Sequence, residues 1–465
     1  MQPVAPPPFR GHIQRASTPE PMSAPATAVP AVPRTPHVIH RRSVVSWVLY
    51  DLANTIFSLG VVSMYFSLYI RSELGPQRAD SAYGLITAIS MGIIFVISPM
   101  LGAMTDRARR RMPFLMWSTL VCVTLTALLG RAEYRVTLLL FVVANAAYQA
   151  GLQFYDAMLP EVSTEENRGR ISGIGIGVGY LGSFVAVGLG MYYGADDLPR
   201  LFLLIAACFL AFALPCFAFV RERGNPNPRP VFDWAAMQGS ARETLATIRN
   251  GHQYPGLIRF LVGRVFYTDA VTTVITIMTL YTVNVAVASG QSEAAGKKTA
   301  SLVMMVAISC AVVGGFVWGR LVDRIGPKRT LNIVLAQWVL TFVGAAMMGL
   351  LKLPMPFFFV VASSAGVAMG GIQAADRPLM LRLTPPDRIG EFYGLYGMVG
   401  RFSAIIGPVI WAIVAKLTIE NGLLQPAQGQ GVGVLVLMLL VIISYFILRS
   451  VTDEKRDWSH LAQAE

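Results

Sequence analysis

The 465-residue chain is 54% hydrophobic and only 14% charged, whereas soluble domains contain about 25% charged residues. The composition therefore excludes an ordinary soluble domain and indicates an integral membrane protein. The net charge of +12 does not indicate a nucleic-acid partner, because most Lys and Arg residues fall on one side of the predicted membrane spans. The four cysteines lie in apolar runs and the five histidines lie in tails or the long middle loop, so we expect neither a metal nor another cofactor.

In chain order, the sequence begins with a Pro- and Ala-rich segment, residues 1–42, which predicts a disordered cytoplasmic tail. A transit peptide is the alternative for this basic, acid-poor segment, and Met22 is a second candidate start. Twelve apolar stretches follow, each long enough to cross a bilayer as a helix: 44–70, 83–104, 113–130, 136–158, 171–193, 198–220, 257–285, 299–319, 331–351, 355–380, 392–418 and 431–450. The linker at 221–255 predicts a helix on the inner membrane surface or a mobile connection, and residues 451–465 form a second cytoplasmic tail.

The chain also repeats itself once. The stretch "GAMTDRARRR" recurs as "GRLVDRIGPKR", so that Asp106 aligns with Asp323, 217 residues later. A second pair of acids, in the first and seventh spans, shows almost the same offset. One near-constant offset predicts two like-built bundles of six helices, at 43–220 and 256–450. We therefore expect an all-α membrane protein with twelve transmembrane helices in two pseudo-symmetric bundles.

The repeated loop resembles a signature of the major facilitator superfamily, Gly-x-x-x-Asp-Arg/Lys-x-Gly-Arg/Lys-Arg/Lys, between the second and third helices. The first copy departs from it with Arg109 at the usual Gly, and the second copy inserts Pro327. The glycines let two helix ends approach closely, and each aspartate can pair with an arginine or a helix N-terminus. The resemblance implies a gating role for eight residues: Gly102, Asp106, Arg107, Arg110, Gly319, Asp323, Arg324 and Lys328.

Polar side chains interrupt several of the apolar spans. Lipid would expel such stripes, so they must face protein or water, and we predict that they form the substrate and coupling site. The candidates are Tyr50, Asp51, Asn54, Asn145, Gln149, Gln153, Asp156, Arg264, Tyr267, Asp269, Gln373, Arg377 and Arg401. We expect Asp51 or Asp269 to balance one buried cation. That cation would be Arg264 or Arg401, in a pair that a proton breaks or in a purely structural salt bridge.

Three stretches resemble the vacuole-effluxer family of the major facilitator superfamily: "WVLYDLANTIFS", "FYDAMLPEVSTEENRGRISGIGIGVGYLGS" and "GGIQAADRPLMLRL…GEFYGLYGMVGRFSAIIGP". The resemblance covers nearly all of residues 44–450 and implies alternating-access efflux of amino acids. Two departures fall near the predicted site. Asp376, Arg377 and Pro378 stand where relatives usually have Ser-Arg-Ser, and Arg401 stands where they usually have Lys. The substrate of a relative should therefore not be transferred to this chain.

The sequence thus predicts a secondary active transporter of a small polar solute, with amino-acid efflux preferred and protons as the coupling ion. A zwitterion needs an anionic and a cationic anchor, and the polar stripes offer both. No nucleophile–base pair occurs in the spans, so we do not expect an enzyme. We expect a monomer in the inner (cytoplasmic) membrane with both termini in the cytoplasm, whose partners are the solute, protons and the lipid bilayer. A non-transporting sensor or scaffold, or an exporter of sugars or drugs, remains the alternative.

Overall fold

The computed structural model describes residues 39–193, 197–226, 228–231, 254–402 and 406–454. Within these ranges the apolar runs form helices and no strand, because a backbone in hydrocarbon must satisfy its own hydrogen bonds. The helices are α1 (Arg41–Leu74, π-helical over Ser58–Tyr65), α2 (Pro76–Arg107), α3 (Met112–Ala127), α4 (Tyr134–Ala157), α5 (Arg168–Tyr193), α6 (Leu198–Phe219), α7 (Leu257–Ala288), α8 (Glu293–Ile325), α9 (Pro327–Leu350), α10 (Pro356–Arg382), α11a (Ile389–Phe402), α11b (Ile406–Ala415) and α12 (Pro426–Leu448).

Each predicted span coincides with a helix, and the differences lie at the ends. In the described ranges, eleven helical stretches are long and apolar enough to cross a membrane, and α3 is a shorter apolar helix of 16 residues. The third span was predicted to reach residue 130, but α3 ends at Ala127 because a turn follows, in which Gly130 adopts φ 72°. The predicted N-terminal tail and most of the predicted surface helix, at 232–253, lie outside the described residues.

The helices of each half pack mainly against one another. In the first half, α1 packs on α5 and α6, α4 packs on α2 and α3, and α3 packs on α6. In the second half, α10 packs on α8 and α9, while α12 packs on α7 and α9. Contacts between the halves run along α2 with α11a, along α5 with α8 and α10, and along α4 with α11a. These seams bring α1, α4, α7, α10 and α11a, the helices with polar stripes, into the interior.

The surface and the interior have the polarity expected for a protein in lipid. Large apolar side chains such as Val96, Leu340 and Phe446 are about two-thirds exposed on the outer surface. Ionisable side chains such as Asp51 and Arg377 are at most 5% exposed in the interior. The predicted polar stripes therefore face protein rather than lipid, because an acyl chain cannot solvate a carboxylate or a guanidinium.

Candidate functional site

At one end of the helices, which we call the latch end, the two repeated aspartates contact helix starts in the opposite half. Asp106, at the end of α2, accepts two backbone N–H groups from the first turn of α11a, at 2.7 and 2.8 Å. Asp323, near the end of α8, accepts two from the first turn of α5, at 2.7 and 2.9 Å. A carboxylate is stabilised there by unpaired N–H groups and by the helix dipole. The two halves are thus held together at this end by matching contacts.

The predicted close approach at the repeated glycines is confirmed. A Cβ on Gly102 would lie 2.3 Å from the carbonyl oxygen of Gly390 on α11a. A Cβ on Gly319 would lie 2.9 Å from the carbonyl oxygen of Gly169 on α5. Any side chain at these positions would push the halves apart, because the atoms opposite belong to the backbone.

The cation that pairs with Asp106 differs from the predicted ones. Arg111 Nη2 lies 2.8 Å from Asp106 Oδ1. Lys328, also predicted to gate, donates to the side-chain oxygen of Asn332 at 2.5 Å. Within the described part of the chain, the other predicted gating cations form no ion pair with either aspartate: Arg107, Arg110 and Arg324. The run of arginines after Asp106 predicts that one of them pairs with it, but the loop conformation decides which.

Each half carries a further acid at the latch end that sequence reasoning missed. Glu222, just beyond α6, accepts the backbone N–H of Arg111 at 2.5 Å, at the start of α3. Asp453, just beyond α12, accepts the backbone N–H of Lys328 at 3.0 Å, at the start of α9. Burial raises the pKa of the Glu222 carboxyl above its usual value, more than the neighbouring N–H groups and Arg111 lower it. The segment after each six-helix set therefore contacts and stabilises the repeated loop of its own half.

Deeper in the interior, one arginine lies between two acids of the opposite half. Arg377 Nη1, on α10, lies 3.3 Å from Asp51 Oδ2 on α1. Its Nε lies 2.9 Å from Asp156 Oδ1 on α4. All three side chains are buried, and we call them the shared-arginine cluster. The prediction that Asp51 balances Arg264 or Arg401 is wrong, because α10 rather than α7 or α11a presents the cation to α1.

An aromatic stack supports the first-half side of this cluster. The ring of Tyr155 stacks on Trp47 at 4.5 Å and on Tyr50 at 5.1 Å between centroids. The guanidinium of Arg377 lies 5.5 Å from the Tyr155 centroid, where the ring face attracts a cation. The hydroxyl of Tyr50 is hydrogen-bonded to Thr119 at 2.6 Å. Tyr50, a predicted site residue, thus lies within the packing of the first half.

A second buried arginine is balanced inside the second half. Arg264 Nε, on α7, lies 2.9 Å from Asp376 Oδ2 on α10. The hydroxyls of Tyr267 and Tyr396 also donate to Asp376, the latter at 3.1 Å. The guanidinium of Arg264 lies 3.7 Å from the Tyr396 centroid. The predicted partners of Arg264 were therefore wrong. Asp376 was not among the predicted site residues. Its position directly before the predicted Arg377 was the one sequence feature that could have pointed to it.

Arg401 is a half-buried cation without an acid among the described residues. It is half-buried on α11a, and it donates to Ser98 Oγ at 3.1 Å and to the backbone oxygen of Gln149 at 3.2 Å. Gln153 donates to the backbone oxygen of Ser98 at 3.0 Å and accepts from its hydroxyl at 2.5 Å. Among the residues that the structure describes, no carboxylate forms an ion pair with Arg401. The predicted balance by Asp51 or Asp269 is wrong, because Arg401 meets neutral oxygens of the opposite half.

The other predicted site residues are not drawn into these clusters. Asp269 is 1% exposed, and neither carboxylate oxygen has a hydrogen-bond partner among the described residues. The same holds for the buried side-chain amides of Asn54 and Asn145. Gln373 is half-buried on α10, one helical turn before Arg377. These groups add polarity around the interior without contributing to an ion pair.

Comparison with known proteins gives consistent matches. The family profile described as "Vacuole effluxer Atg22 like" matches residues 74–457. The chain is 29% identical over 393 residues to an uncharacterized MFS-type transporter, YxiO, of Bacillus subtilis, a match that covers 80% of this chain and 88% of that protein. It is 25% identical over 281 residues to autophagy-related protein 22-1 of Penicillium rubens, covering 56% and 46% of the two chains.

Solved structures extend the likeness to the fold. The human organic anion transporter MFSD10 superposes with a TM-score of 0.64 at 16% identity, covering 88% of this chain and 98% of that one. The E. coli fucose:proton symporter FucP superposes with a TM-score of 0.63 at 12% identity, covering 87% and 97%. The predicted all-helical architecture of the major facilitator superfamily is confirmed.

Proposed function

Since the chain belongs to the Atg22-like vacuole effluxer family, we propose that it exports an amino acid by alternating access. It is a multi-pass membrane transporter of the major facilitator type and not an enzyme. We place it in the cytoplasmic membrane as a monomer, with the latch end and both termini on the cytoplasmic side, and we expect protons to drive it.

The observation on which the substrate class rests is the unpaired charge of Arg401. A half-buried guanidinium without a carboxylate is costly unless a ligand completes it. Its planar fork suits a carboxylate, which every amino acid carries. The neutral oxygens of Ser98 and Gln149 hold the guanidinium in place without neutralising it. A substrate carboxylate would supply the missing negative charge.

The acids of the shared-arginine cluster are the matching anchor for an ammonium group. Gln149, which contacts Arg401, and Asp156 are seven residues apart on α4, a rise of about 10 Å. An α-amino acid spans about 3.5 Å between its ammonium and carboxylate atoms, and two hydrogen bonds of about 2.9 Å extend that span to roughly 9 Å. The separation of the two levels along α4 is therefore comparable to the span of one small zwitterion, which could reach both anchors once the buried acids become accessible.

Alternating access is supported by the latch end. Both repeated aspartates are engaged with the opposite half there, so the structure represents a state that is closed at this end. Release of the two contacts would let the halves tilt apart, while the cleft closes at the other end. The acids of the shared-arginine cluster would then become accessible from the latch end.

Counterflow in proteoliposomes tests the function directly. Purified protein would be reconstituted with unlabelled amino acids, sugars or organic anions inside, and entry of the labelled compound would be followed with and without a pH gradient. We expect saturable counterflow of amino acids. Uptake of sugars alone would contradict the amino-acid assignment, and uptake of carboxylates that lack an amino group would reassign the substrate to organic anions.

Substitution of Arg401 tests the anchor. Loss of a charge-assisted hydrogen bond costs about 1.5–3 kcal/mol, so Arg401→Ala should raise the apparent KM roughly 10- to 150-fold. Arg401→Lys keeps the charge but loses the planar guanidinium, and its KM should lie between those of the wild type and of Arg401→Ala. Arg131→Ala, at an exposed loop position, is the matched control and should behave as the wild type. An unchanged KM in Arg401→Ala would remove Arg401 from the binding site.

A further inference from the structure

The shared-arginine cluster contains one more acid than it can balance. Arg377 is the one guanidinium within ion-pair distance of Asp51 or Asp156 in the described part of the chain, at 3.3 and 2.9 Å. Two carboxylates and one guanidinium leave one excess negative charge. The acids are 5% and 7% exposed and Arg377 is 4% exposed, so water does not compensate for that charge.

The other titratable and charged groups around the cluster do not remove the excess. Arg264, from α7, is balanced by Asp376, from α10. Arg401, from α11a, contacts Ser98 and Gln149 rather than the cluster. The remaining titratable neighbours are phenols and one thiol, which are neutral near pH 7: Tyr148 and Tyr155 on α4, Tyr180 on α5, Cys216 on α6, and Tyr393 and Tyr396 on α11a. Two acids that share one buried cation cannot both stay ionised without cost.

We propose that Asp51 and Asp156 together hold one exchangeable proton, which the cationic group of the transported solute displaces. This inference rests on the proposed function, because it assigns the coupling step to the same site. When the ammonium of the substrate binds, the carboxylic acid O–H bond breaks and the proton passes to water. A new carboxylate–ammonium pair replaces it, so the net charge of the occupied cluster stays zero. Competition for one charge makes the protein an exchanger of one proton for one solute.

The position of Arg377 couples this exchange to the change of access. Asp51 and Asp156 belong to helices of the first half, whereas Arg377 belongs to the second half. Separation of the halves at the latch end must draw the guanidinium away from the acids. The two carboxylates then meet water and bind a cation. Closure becomes favourable only when a proton or an ammonium has neutralised the excess charge, which prevents the empty, deprotonated protein from completing the cycle.

Infrared difference spectroscopy of the full chain in lipid nanodiscs tests the proton without a substrate. Titration of the wild type from low to high pH should remove a carboxylic-acid band that corresponds to about one proton per protein. Asp51→Asn and Asp156→Asn should each abolish this titrating band, since the remaining acid forms a one-to-one pair with Arg377. Glu293→Gln, at an acid on the exposed end of α8, is the matched control and should keep it.

Transport measurements separate this inference from the proposed function. Proteoliposomes loaded with the amino acid that gives the strongest counterflow should concentrate it in response to a pH gradient, and Asp156→Asn should lose that response. No counterflow in the wild type would contradict the proposed function itself. Counterflow that ignores the pH gradient would leave the function standing and overturn the exchange. A band lost in only one of the two Asn variants would assign the proton to a single acid and overturn the shared site.

Discussion

The latch end and the charged interior follow opposite rules. At the latch end the halves repeat each other, with an aspartate on a helix start, a close glycine contact and an acid behind the loop in both. In the interior they do not, because Arg377 faces two acids of the first half while Arg264 is balanced within the second half. In the proposed cycle, closure is a motion that both halves share, so their contacts can be equivalent. The proposed solute has two different ends and needs unequal anchors, which explains why the interior lacks the symmetry.

The largest expected effect is at the seam between α5 and α8. A Cβ on Gly173 would lie 2.3 Å from the carbonyl oxygen of Gly315, in the other half. Overpacking costs about 1–3 kcal/mol, so Gly173→Ala should shift the equilibrium between the states closed and open at the latch end roughly 5- to 150-fold toward the open state. Thr105→Cys, at a position buried under the latch, can report opening by its maleimide labelling once the four native cysteines are replaced by Ala.

Gly188, on the same helix, provides the matched control. A Cβ there meets no heavy atom within 4 Å, so Gly188→Ala should leave the labelling of Thr105→Cys unchanged. If Gly173→Ala also left this cysteine protected, the close approach of α5 and α8 would not be what closes the latch end. The claim that equivalent contacts of the two halves close this end would then be contradicted.

Local patterns in the sequence predicted the latch end better than the interior. A run of about 20 apolar residues is enough to place a helix in a bilayer, and a loop motif next to it places Asp106 at a helix end. The partner of a mid-helix charge depends on rotation as well as depth. One residue of register turns a side chain by about 100°, so the presence of Asp51 and Arg401 in the apolar spans did not make them partners. The sequence separation of Asp51 and Arg377, 326 residues, left no local signal.

An intermediate effect should distinguish the two latch aspartates. Among the described residues, Asp323 contacts the backbone N–H groups of α5 and forms no ion pair, whereas Asp106 contacts those of α11a and forms the ion pair with Arg111. An Asn at either position keeps one of the two acceptor oxygens and loses the charge, which is worth about 0.3–1 kcal/mol at a helix start, and the ion pair of Asp106 adds about 0.2–1 kcal/mol. We expect the labelling of Thr105→Cys to rise at least about 2-fold in Asp323→Asn, and to be higher in Asp106→Asn by a further factor of roughly 1.4 to 5.

The variant Arg111→Gln checks the origin of that difference. In its background, Asp106→Asn should have the same effect as Asp323→Asn, because the ion pair is already absent. If Asp106→Asn still increased the labelling more than Asp323→Asn in the Arg111→Gln background, the two helix starts would not be equivalent. The matching contacts of the halves would then differ in strength for a reason other than the ion pair.

The smallest effect should come from the acids behind the repeated loops. Because burial raises the pKa of Glu222, this group favours the folded state when protonated and loses that contribution as the pH rises through its folded-state pKa. Glu222→Gln keeps an oxygen for the N–H of Arg111 and removes the buried charge. Its melting temperature should therefore exceed that of the wild type by about 1 °C at pH 8, and the difference should shrink as the pH falls toward the ordinary pKa of a glutamate, about 4.3.

The corresponding change in the second half should act in the other direction. Asp453 is paired with Arg382 at 3.4 Å, so Asp453→Asn loses an ion pair and should lower the melting temperature slightly. Opposite signs of the two shifts in melting temperature would show that Glu222 and Asp453 occupy equivalent positions in different electrostatic environments. Shifts of equal sign would mean that the hydrogen bond to the backbone N–H of each loop, rather than the charge, determines the melting temperature of both variants. The symmetry of the latch end would then extend to the segments that follow each six-helix set.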